Sequence, residues 1–298
     1  MKWNTSSKEF ENFLKFERNL SKNTISSYLA DLKKLRDYLR LKNINYNPNQ
    51  ISTDLIREFL YSQSKKIKSS TQGRLISSLN LFFDFMILEK IIVENPLEKI
   101  DYPKIGTSIP TTLTTTEIDS LIAEAELNKN NGLRNKTIIE VLYSCGLRVS
   151  ELIDLKISDL FLDENLIKVL GKGNKERFVP VSNTAKKLIV EYIESIRNFK
   201  KIKKGHEDTL FINNRGQKLT RVMIYTILNN LANHIGLKKK ISPHVLRHSF
   251  ATHLIENGAD IISIQKMMGH ENIVTTEKYL HVKNKHLIDS VLKYHPRS

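Results

Sequence analysis

The sequence predicts a mainly α-helical protein with two domains, a four-helix domain followed by a mixed α/β domain that is mostly helical with a small β-hairpin or sheet. Three observations support this class. The chain has 298 residues and is 40% hydrophobic, which is enough to fill two cores of ordinary size. Apolar residues recur at helical spacing along most of the chain, with one stretch of alternation. A stretch rich in proline and small polar residues separates two helical regions.

Helical periodicity covers most of the first domain. A cap at Ser21 precedes apolar residues that repeat at helical spacing from Ile25 to Leu39. Three further segments share this periodicity, at about 8–18, 53–64 and 70–90. Together these segments predict one compact domain of four helices.

Prolines interrupt the chain after these helices, at positions 96, 103 and 110, and small polar residues follow. Because proline cannot continue a helix, this stretch predicts a connection between domains. We therefore divide the chain into a first domain at 1–105, a linker at 106–112 and a second domain at 113–298.

The second domain is predicted to be helical around one hairpin. Thr114, with Glu117 three residues later, forms a capping-box pattern for its first helix. The segment NLIKVLGKGNKERFVPV alternates apolar and polar residues on both sides of GKGNKE, which predicts two antiparallel strands with Lys172 at the tip. Helices are predicted at about 116–127, 133–145, 147–155, 182–198, 219–235, 243–257, 260–268 and 274–281, with a last apolar stripe near 287–292.

The charge of the chain points to a polyanionic partner. Lys and Arg number 47 against 32 Asp and Glu, a net charge of +15. Basic residues outnumber acidic ones 18 to 12 in residues 1–105 and 29 to 20 in the remainder. Two basic domains on a linker predict a clamp around a nucleic-acid duplex. An anionic membrane surface and ordinary solvated lysine faces are the alternatives.

The chain shows no sign of export or of a membrane span. No apolar run approaches the roughly 20 residues that a span requires, and MKWNTSSKEF lacks the apolar core of a signal peptide. The single cysteine, Cys145, permits no internal disulfide, agrees with a reducing compartment and is expected to be a buried apolar residue. We expect a cytoplasmic, nucleoid-associated protein without a membrane contact.

One helix concentrates the candidate chemistry. SPHVLRHSFATHLIENG starts with a Ser242 cap and places His244, Arg247 and His248 on one face. Cutting a phosphodiester requires a nucleophile, cations around the nonbridging oxygens and an acid for the departing oxygen. This helix supplies cations and histidines, so phosphodiester chemistry is one hypothesis. The alternative is that His248 and His253 have a purely structural role as packing residues.

The sequence disfavours a metal cofactor. No pair of carboxylates dominates, as a magnesium nuclease would require. His244 and His248 have the spacing of zinc ligands, but the chain has no HExxH glutamate, and Arg247 between them would repel a cation. We expect no metal and no other cofactor.

Four sequence boxes, in order, resemble the tyrosine recombinase (phage integrase) family, most closely its XerC/XerD type. The boxes read SCGLRVSEL, GKGNKERFVPV, HVLRHSFATHL and MMGHENIVTTEKYLHV, and the amino-terminal LSKNTISSYLADL matches the family's first helical signature. The resemblance covers nearly the whole chain. It implies an amino-terminal SAM-like domain that binds core DNA and a catalytic domain that ends in a carboxy-terminal exchange helix.

The resemblance implies an active site and a mechanism. Six residues match the family's catalytic positions, with Tyr279 as the nucleophile: Arg148, Lys172, His244, Arg247, His270 and Tyr279. Glu151, three residues after Arg148 on a helix, is expected to orient that arginine through a salt bridge. The implied reaction passes through a 3′-phosphotyrosyl bond and requires neither metal nor ATP.

The implied function is site-specific recombination of double-stranded DNA, used to resolve chromosome dimers at cell division. The implied partners are a short specific DNA site, a homo- or hetero-tetramer with a paralogous recombinase, and a DNA translocase at the division septum. A mobile-element integrase, a type IB topoisomerase and an architectural DNA-binding protein are the alternatives. The last would not need Lys172, His270 and Tyr279 together.

Overall fold

The computed structural model describes residues 2–103, 111–171, 175–269 and 289–297. The chain divides into two compact units, Met1–Ser108 and Ile109–Ser298. Helices dominate both units, and a small antiparallel sheet lies in the second. The predicted class, mainly α with a small β element, is therefore confirmed. None of the helices in the described ranges is long and apolar enough to span a membrane.

Four α-helices form the first unit: α1 (Trp3–Asn12), α2 (Lys22–Leu41), α3 (Thr53–Ser64) and α4 (Ser69–Leu88). The first helix begins five residues before its predicted start and continues into a π-helical turn at Phe13–Glu17. Its early start has a tertiary cause, because the Trp3 ring stacks on Phe82 of α4 at 6.2 Å between ring centroids. Periodicity within α1 alone could not predict this contact.

A buried carboxylate joins two helices of this unit. Asp31 on α2 is inaccessible to solvent, and it accepts hydrogen bonds from Lys34 at 2.9 Å and Ser78 at 3.1 Å. Arg74 of α4 also donates to it. Because a buried charge is tolerated only when it is paired, these contacts fix the register of α2 against α4.

In the second unit residues 289–294 are helical, and seven further α-helices have both ends within the described residues: α5 (Thr115–Glu126), α6 (Gly132–Ser144), α7 (Val149–Asp154), α8 (Asn183–Ser195), α9 (Arg221–His234), α10 (Pro243–Glu256) and α11 (Ile261–Met268). Each lies within three residues of a predicted segment. The capping box of Thr114 and Glu117 is present, and Ser242 caps α10 by accepting from the Val245 N–H. The helix predicted at 274–281 lies outside the described residues.

Three strands form the sheet of the second unit, in the order β1 (Leu160–Phe161), β2 (Leu166–Leu170) and β3 (Glu176–Pro180), all antiparallel. The predicted hairpin is β2 with β3, where Val169 pairs with Arg177. The Gly171 N–H donates to the Lys175 carbonyl at 2.8 Å and closes the described ends of the hairpin. The sequence did not reveal β1, because two residues carry no measurable alternation.

Helix α10 has two different faces. Leu246, Phe250 and Leu254 are fully buried in the core of the unit, as their spacing predicted. Arg247 is also buried, although it belongs to the opposite, polar side of the predicted helix. Cys145, at the end of α6, is buried as well, and burial raises the pKa of its thiol to about 12. This thiol therefore stays protonated and acts as an apolar packing group.

The described end of the chain, residues 289–297, packs against its own unit. Val291 and His295 are buried, and the His295 ring lies 4.7 Å from the ring of Tyr143 on α6. Arg297 pairs with Asp119 of α5 and lies 3.4 Å from Glu140 of α6. Burial raises the pKa of Glu140 to about 7, and the charge of Arg297 offsets only part of that effect.

We expect the Glu140→Gln variant to gain stability relative to the parent protein as the pH rises from about 5 to 8. The folded-state pKa of about 7 lies above the ordinary value of 4.5, so the folded state holds a proton that the unfolded state has lost between these values. The stability of the parent therefore falls as the pH rises toward 7, whereas glutamine does not titrate. The difference in free energy of unfolding should change by up to about 3 kcal/mol.

Urea denaturation of both proteins at several pH values across this range measures the effect. Glu164→Gln, at an exposed residue of the same unit, is the matched control and should leave the dependence of stability on pH close to that of the parent. A constant difference for Glu140→Gln as well would contradict the raised pKa.

Candidate active site

A tight turn between α6 and α7 positions Arg148 in the site. Gly146 follows α6 with φ of +57°, and a Cβ atom there would lie 2.4 Å from the Phe250 ring. A side chain at this position would be both strained and sterically blocked, so glycine is required. The turn places Arg148 at the N-cap of α7, where its backbone N–H donates to Glu151 at 2.8 Å. The Arg148 guanidinium donates to the same carboxylate at 2.9 Å, which is the predicted contact.

Glu151 is the centre of the site. Its side chain is 1% exposed, and three guanidinium groups surround it. Arg148 and Arg177 each donate to its oxygens, and a nitrogen of Arg247 lies 3.8 Å away. Burial alone would raise the pKa of Glu151, but the hydrogen bonds and charge of Arg177, with those of Arg148, bring it below the ordinary value. The carboxylate is therefore ionised at neutral pH.

The same three arginines hold the end of α11. Three successive carbonyl groups accept from them: Met267 from Arg177 at 2.9 Å, Met268 from Arg247, and Gly269 from Arg148 at 3.1 Å. Carbonyl groups at a helix carboxyl end carry partial negative charge, so cations are favourable there. This arrangement ties the end of α11 to the cluster of cations.

Arg247 reaches the site from α10. It is 3% exposed, and it donates to the Gly146 carbonyl at 2.6 Å and to Met268. Burial, followed by the charge of the neighbouring Arg148, lowers the pKa of this guanidinium to about 10, which leaves it charged at neutral pH. Each of Arg148 and Arg247 carries further N–H groups beyond these bonds, and those groups can bind an anion.

The histidines of α10 occupy different environments. His244 is exposed in the first turn of the helix, one turn before Arg247. His253 forms a 2.7 Å hydrogen bond between its Nδ1 and the Tyr143 hydroxyl, which is the packing role expected for it. Burial lowers the pKa of His253. Within the described ranges, no three His, Cys, Asp or Glu residues are grouped as metal ligands.

The structure brings Arg148, Glu151 and Arg247 together, with His244 on the helix that carries Arg247. The other three predicted site residues, Lys172, His270 and Tyr279, lie outside the described residues.

Arg177 is a site residue that the sequence analysis missed. It lies on β3 opposite Val169, and two residues before the buried Val179. Side chains two apart on a strand share a face, so the alternation already placed this arginine on the apolar side of the sheet. A charged residue on such a face requires a buried partner, and that signal could have identified it.

The cluster is suited to a phosphodiester. Three guanidinium groups and one carboxylate leave an excess of two positive charges in a largely buried region. Guanidinium forks match the geometry of phosphate oxygens, and fixed donors stabilise the additional charge of a pentacoordinate transition state.

Comparisons with known proteins agree with this chemistry. The phage integrase family model matches residues 111–286, and the model of the phage integrase N-terminal SAM-like domain matches residues 8–90. Tyrosine recombinase XerD of Oceanobacillus iheyensis is 43% identical over 291 residues, 97% of this chain and 98% of that protein. Tyrosine recombinase XerD of Staphylococcus epidermidis is 38% identical over 99% of this chain and 100% of that protein.

Solved structures give the same result. A crystal structure of the XerH site-specific recombinase in a post-cleavage complex with difH substrate matches with a TM-score of 0.70 and 25% identity, over 94% of this chain and 84% of that chain. The chain therefore belongs to the phage integrase family of tyrosine recombinases. It is of the XerD type, a site-specific recombinase that cuts and rejoins DNA.

Proposed function

We propose that this recombinase cuts DNA with Tyr279 and conserves the bond energy in a 3′-phosphotyrosyl intermediate. The observation that carries the proposal is the convergence of Arg148 and Arg247 on one buried carboxylate. Two forked cations held at one point provide donors for both nonbridging oxygens of a phosphodiester. The carboxylate fixes their direction.

Each remaining residue has a proposed role in the transfer. The Tyr279 oxygen attacks phosphorus and the bond from phosphorus to the 5′ oxygen breaks. His244 accepts the phenol proton, Lys172 protonates the departing 5′ oxygen, and His270 donates a hydrogen bond to the phosphate. A phenol with a pKa near 10 is ionised at pH 7 only at a cost of about 4 kcal/mol, which the surrounding cations offset. The reverse attack by a 5′-hydroxyl of another strand rejoins DNA without ATP.

The two parts of the chain have separate proposed tasks. Residues 1–105 bind core DNA, residues 106–112 connect, and residues 113–298 catalyse and end in the exchange helix. The two compact units and the two family models support this division. The excess of basic residues in both parts supports contact with DNA phosphates by each.

The proposed biological role is to resolve chromosome dimers at cell division. The similarity to XerD proteins supports this role, and the DNA-bound XerH structure supports a short specific duplex as the substrate. We propose a tetramer with itself or with a paralogous recombinase, control by a DNA translocase at the septum, and location at the nucleoid.

A suicide-substrate assay tests the function. The protein is incubated in EDTA, without nucleotide, with nicked duplex DNA that carries a Xer-type site. We expect a protein–DNA adduct that resists SDS, because loss of the short nicked fragment prevents rejoining. Peptide mapping of the adduct should place the DNA on Tyr279.

The opposite result is equally informative. If no adduct forms with a range of sites, alone or with a candidate paralogue, the chain is a DNA-binding protein without strand-transfer activity. If an adduct forms only when magnesium is added, the proposed metal-free chemistry is wrong. Salt-sensitive DNA binding alone would not distinguish a recombinase from a DNA-binding protein without strand-transfer activity, because both kinds of protein contact many phosphates.

A further inference from the structure

We propose that Arg177 is a positioning residue for strand cleavage, which holds Glu151 and the end of α11 so that Arg148 and Arg247 meet the phosphate. The inference deepens the proposed function and rests on it. Arg177 lies within the box GKGNKERFVPV, but it is not one of the six catalytic positions that the resemblance carries over. Its role follows from its contacts.

Every nitrogen of the Arg177 guanidinium is engaged by the protein. The two terminal nitrogens donate to the two oxygens of Glu151 at 2.7 and 2.9 Å, and Nε donates to the Met267 carbonyl at 2.9 Å. Among the described residues, Arg148 and Arg247 use only their terminal nitrogens in this way. Arg177 is therefore committed to the protein, while the other two retain donors for DNA.

The charges of the cluster support the same division of roles. Arg177 and Glu151 form a bidentate pair, in which one positive charge matches one negative charge. Without Arg177, the carboxylate would draw on Arg148 and Arg247 alone, and less of their charge would be available to a phosphate. The pair thus leaves the excess positive charge on the two arginines that face the substrate.

Arg177 also connects three elements of the catalytic unit. It lies on β3, binds Glu151 on α7 and binds Met267 at the end of α11. Gly269 follows at φ of +61°, and a Cβ atom there would lie 3.2 Å from the Arg177 guanidinium. In sequence, the hairpin of β3 carries Lys172, and His270 follows Gly269 directly. The Arg177 side chain therefore links β3, whose hairpin carries Lys172, to the end of α11, which precedes His270. It also links both to α7, which begins after Arg148.

A double-mutant cycle tests the inference. The single variants are Arg177→Gln, Arg177→Lys and Glu151→Gln, and the double variant combines Arg177→Gln with Glu151→Gln. The measurements are the single-turnover rate of adduct formation at saturating DNA and the dissociation constant for the DNA site. Arg215→Gln, at an exposed residue in a turn, is the matched control.

We expect Arg177→Gln to slow adduct formation by on the order of 10- to 100-fold, because small displacements of reacting groups have effects of this size. The dissociation constant should change by less than about threefold, since Arg177 does not touch DNA. Arg177→Lys keeps the charge but cannot span three acceptors, so it should recover part of the rate. In the Glu151→Gln background, Arg177→Gln should reduce the rate of adduct formation by a much smaller factor than it does in the parent protein.

Three results would overturn the inference. A loss of DNA affinity equal to the loss of rate would make Arg177 a DNA contact. Independent, multiplicative effects of the two substitutions would show that it does not act through Glu151. If Arg177→Gln forms the adduct at the rate of the parent protein, Arg177 has no role in strand cleavage. If Arg177→Gln does not fold, as judged by circular dichroism, the Arg177→Lys variant and its double with Glu151→Gln decide the question.

Adduct formation by the parent protein distinguishes a failure of the Arg177 inference from a failure of the proposed function. If the parent forms no adduct, the proposed function fails. If the parent forms the adduct and the variants match it, only the role of Arg177 fails.

Discussion

Replacement of Tyr279 by phenylalanine is expected to abolish the covalent adduct and all strand transfer. The substitution removes one oxygen atom, the proposed nucleophile, and leaves the ring in place. Loss of a catalytic nucleophile typically lowers the rate by about 10⁴-fold or more, so the adduct should fall below detection. Affinity for the DNA site should stay within about threefold of the parent, because the arginines proposed to bind the phosphate are unchanged.

Tyr61→Phe is the matched control for this prediction. Tyr61 lies on α3 of the first unit and its side chain is 66% exposed, so removal of its hydroxyl should leave the adduct intact. The measurement is denaturing gel electrophoresis of the suicide-substrate reaction, with DNA binding measured in parallel. An adduct that persists in Tyr279→Phe would assign the nucleophile to another residue, which mapping of the DNA-linked peptide would identify.

The helices could be predicted from sequence because their signals are local. Caps such as Ser21 and Ser242 lie within a few residues of the amide groups that they bind, and the apolar stripes repeat within each segment. Where a distant contact decided the structure, the sequence failed. The start of α1 depends on Phe82, which follows Trp3 by 79 positions in the sequence. The short strand β1 exists because β2 pairs with it.

In the candidate site, too, contacts between residues close in sequence could be predicted and contacts between distant residues could not. The contact of Arg148 with Glu151 could be predicted because the two residues lie only three positions apart at the start of α7. The bond between Arg177 and Glu151 spans 26 positions, and that between Arg148 and the Gly269 carbonyl spans 121. Such partners are adjacent only in the folded unit. Sequence boxes identify residues, whereas the carboxylate and carbonyl groups that orient them come from the fold.

Arg247→Lys is expected to slow adduct formation by about 10²- to 10³-fold at saturating DNA, the usual cost of one lost transition-state donor. Lysine keeps the charge, but a single ammonium group cannot reach the Gly146 and Met268 carbonyls and a phosphate oxygen together. Two buried carbonyl groups then compete with the substrate for the N–H groups of a single nitrogen. Single-turnover kinetics on the suicide substrate measures this loss.

Stability and binding provide the control measurements for Arg247→Lys. Partly unsatisfied carbonyl groups should lower the free energy of unfolding by about 1–3 kcal/mol, whereas Arg215→Lys on the surface should change neither rate nor stability. If Arg247 stabilises the pentacoordinate phosphate, the rate must fall much more than the affinity for uncleaved DNA, because ground-state binding loses less than the transition state. Equal losses would make Arg247 a general phosphate anchor, and cleavage at the parent rate would remove it from the reaction.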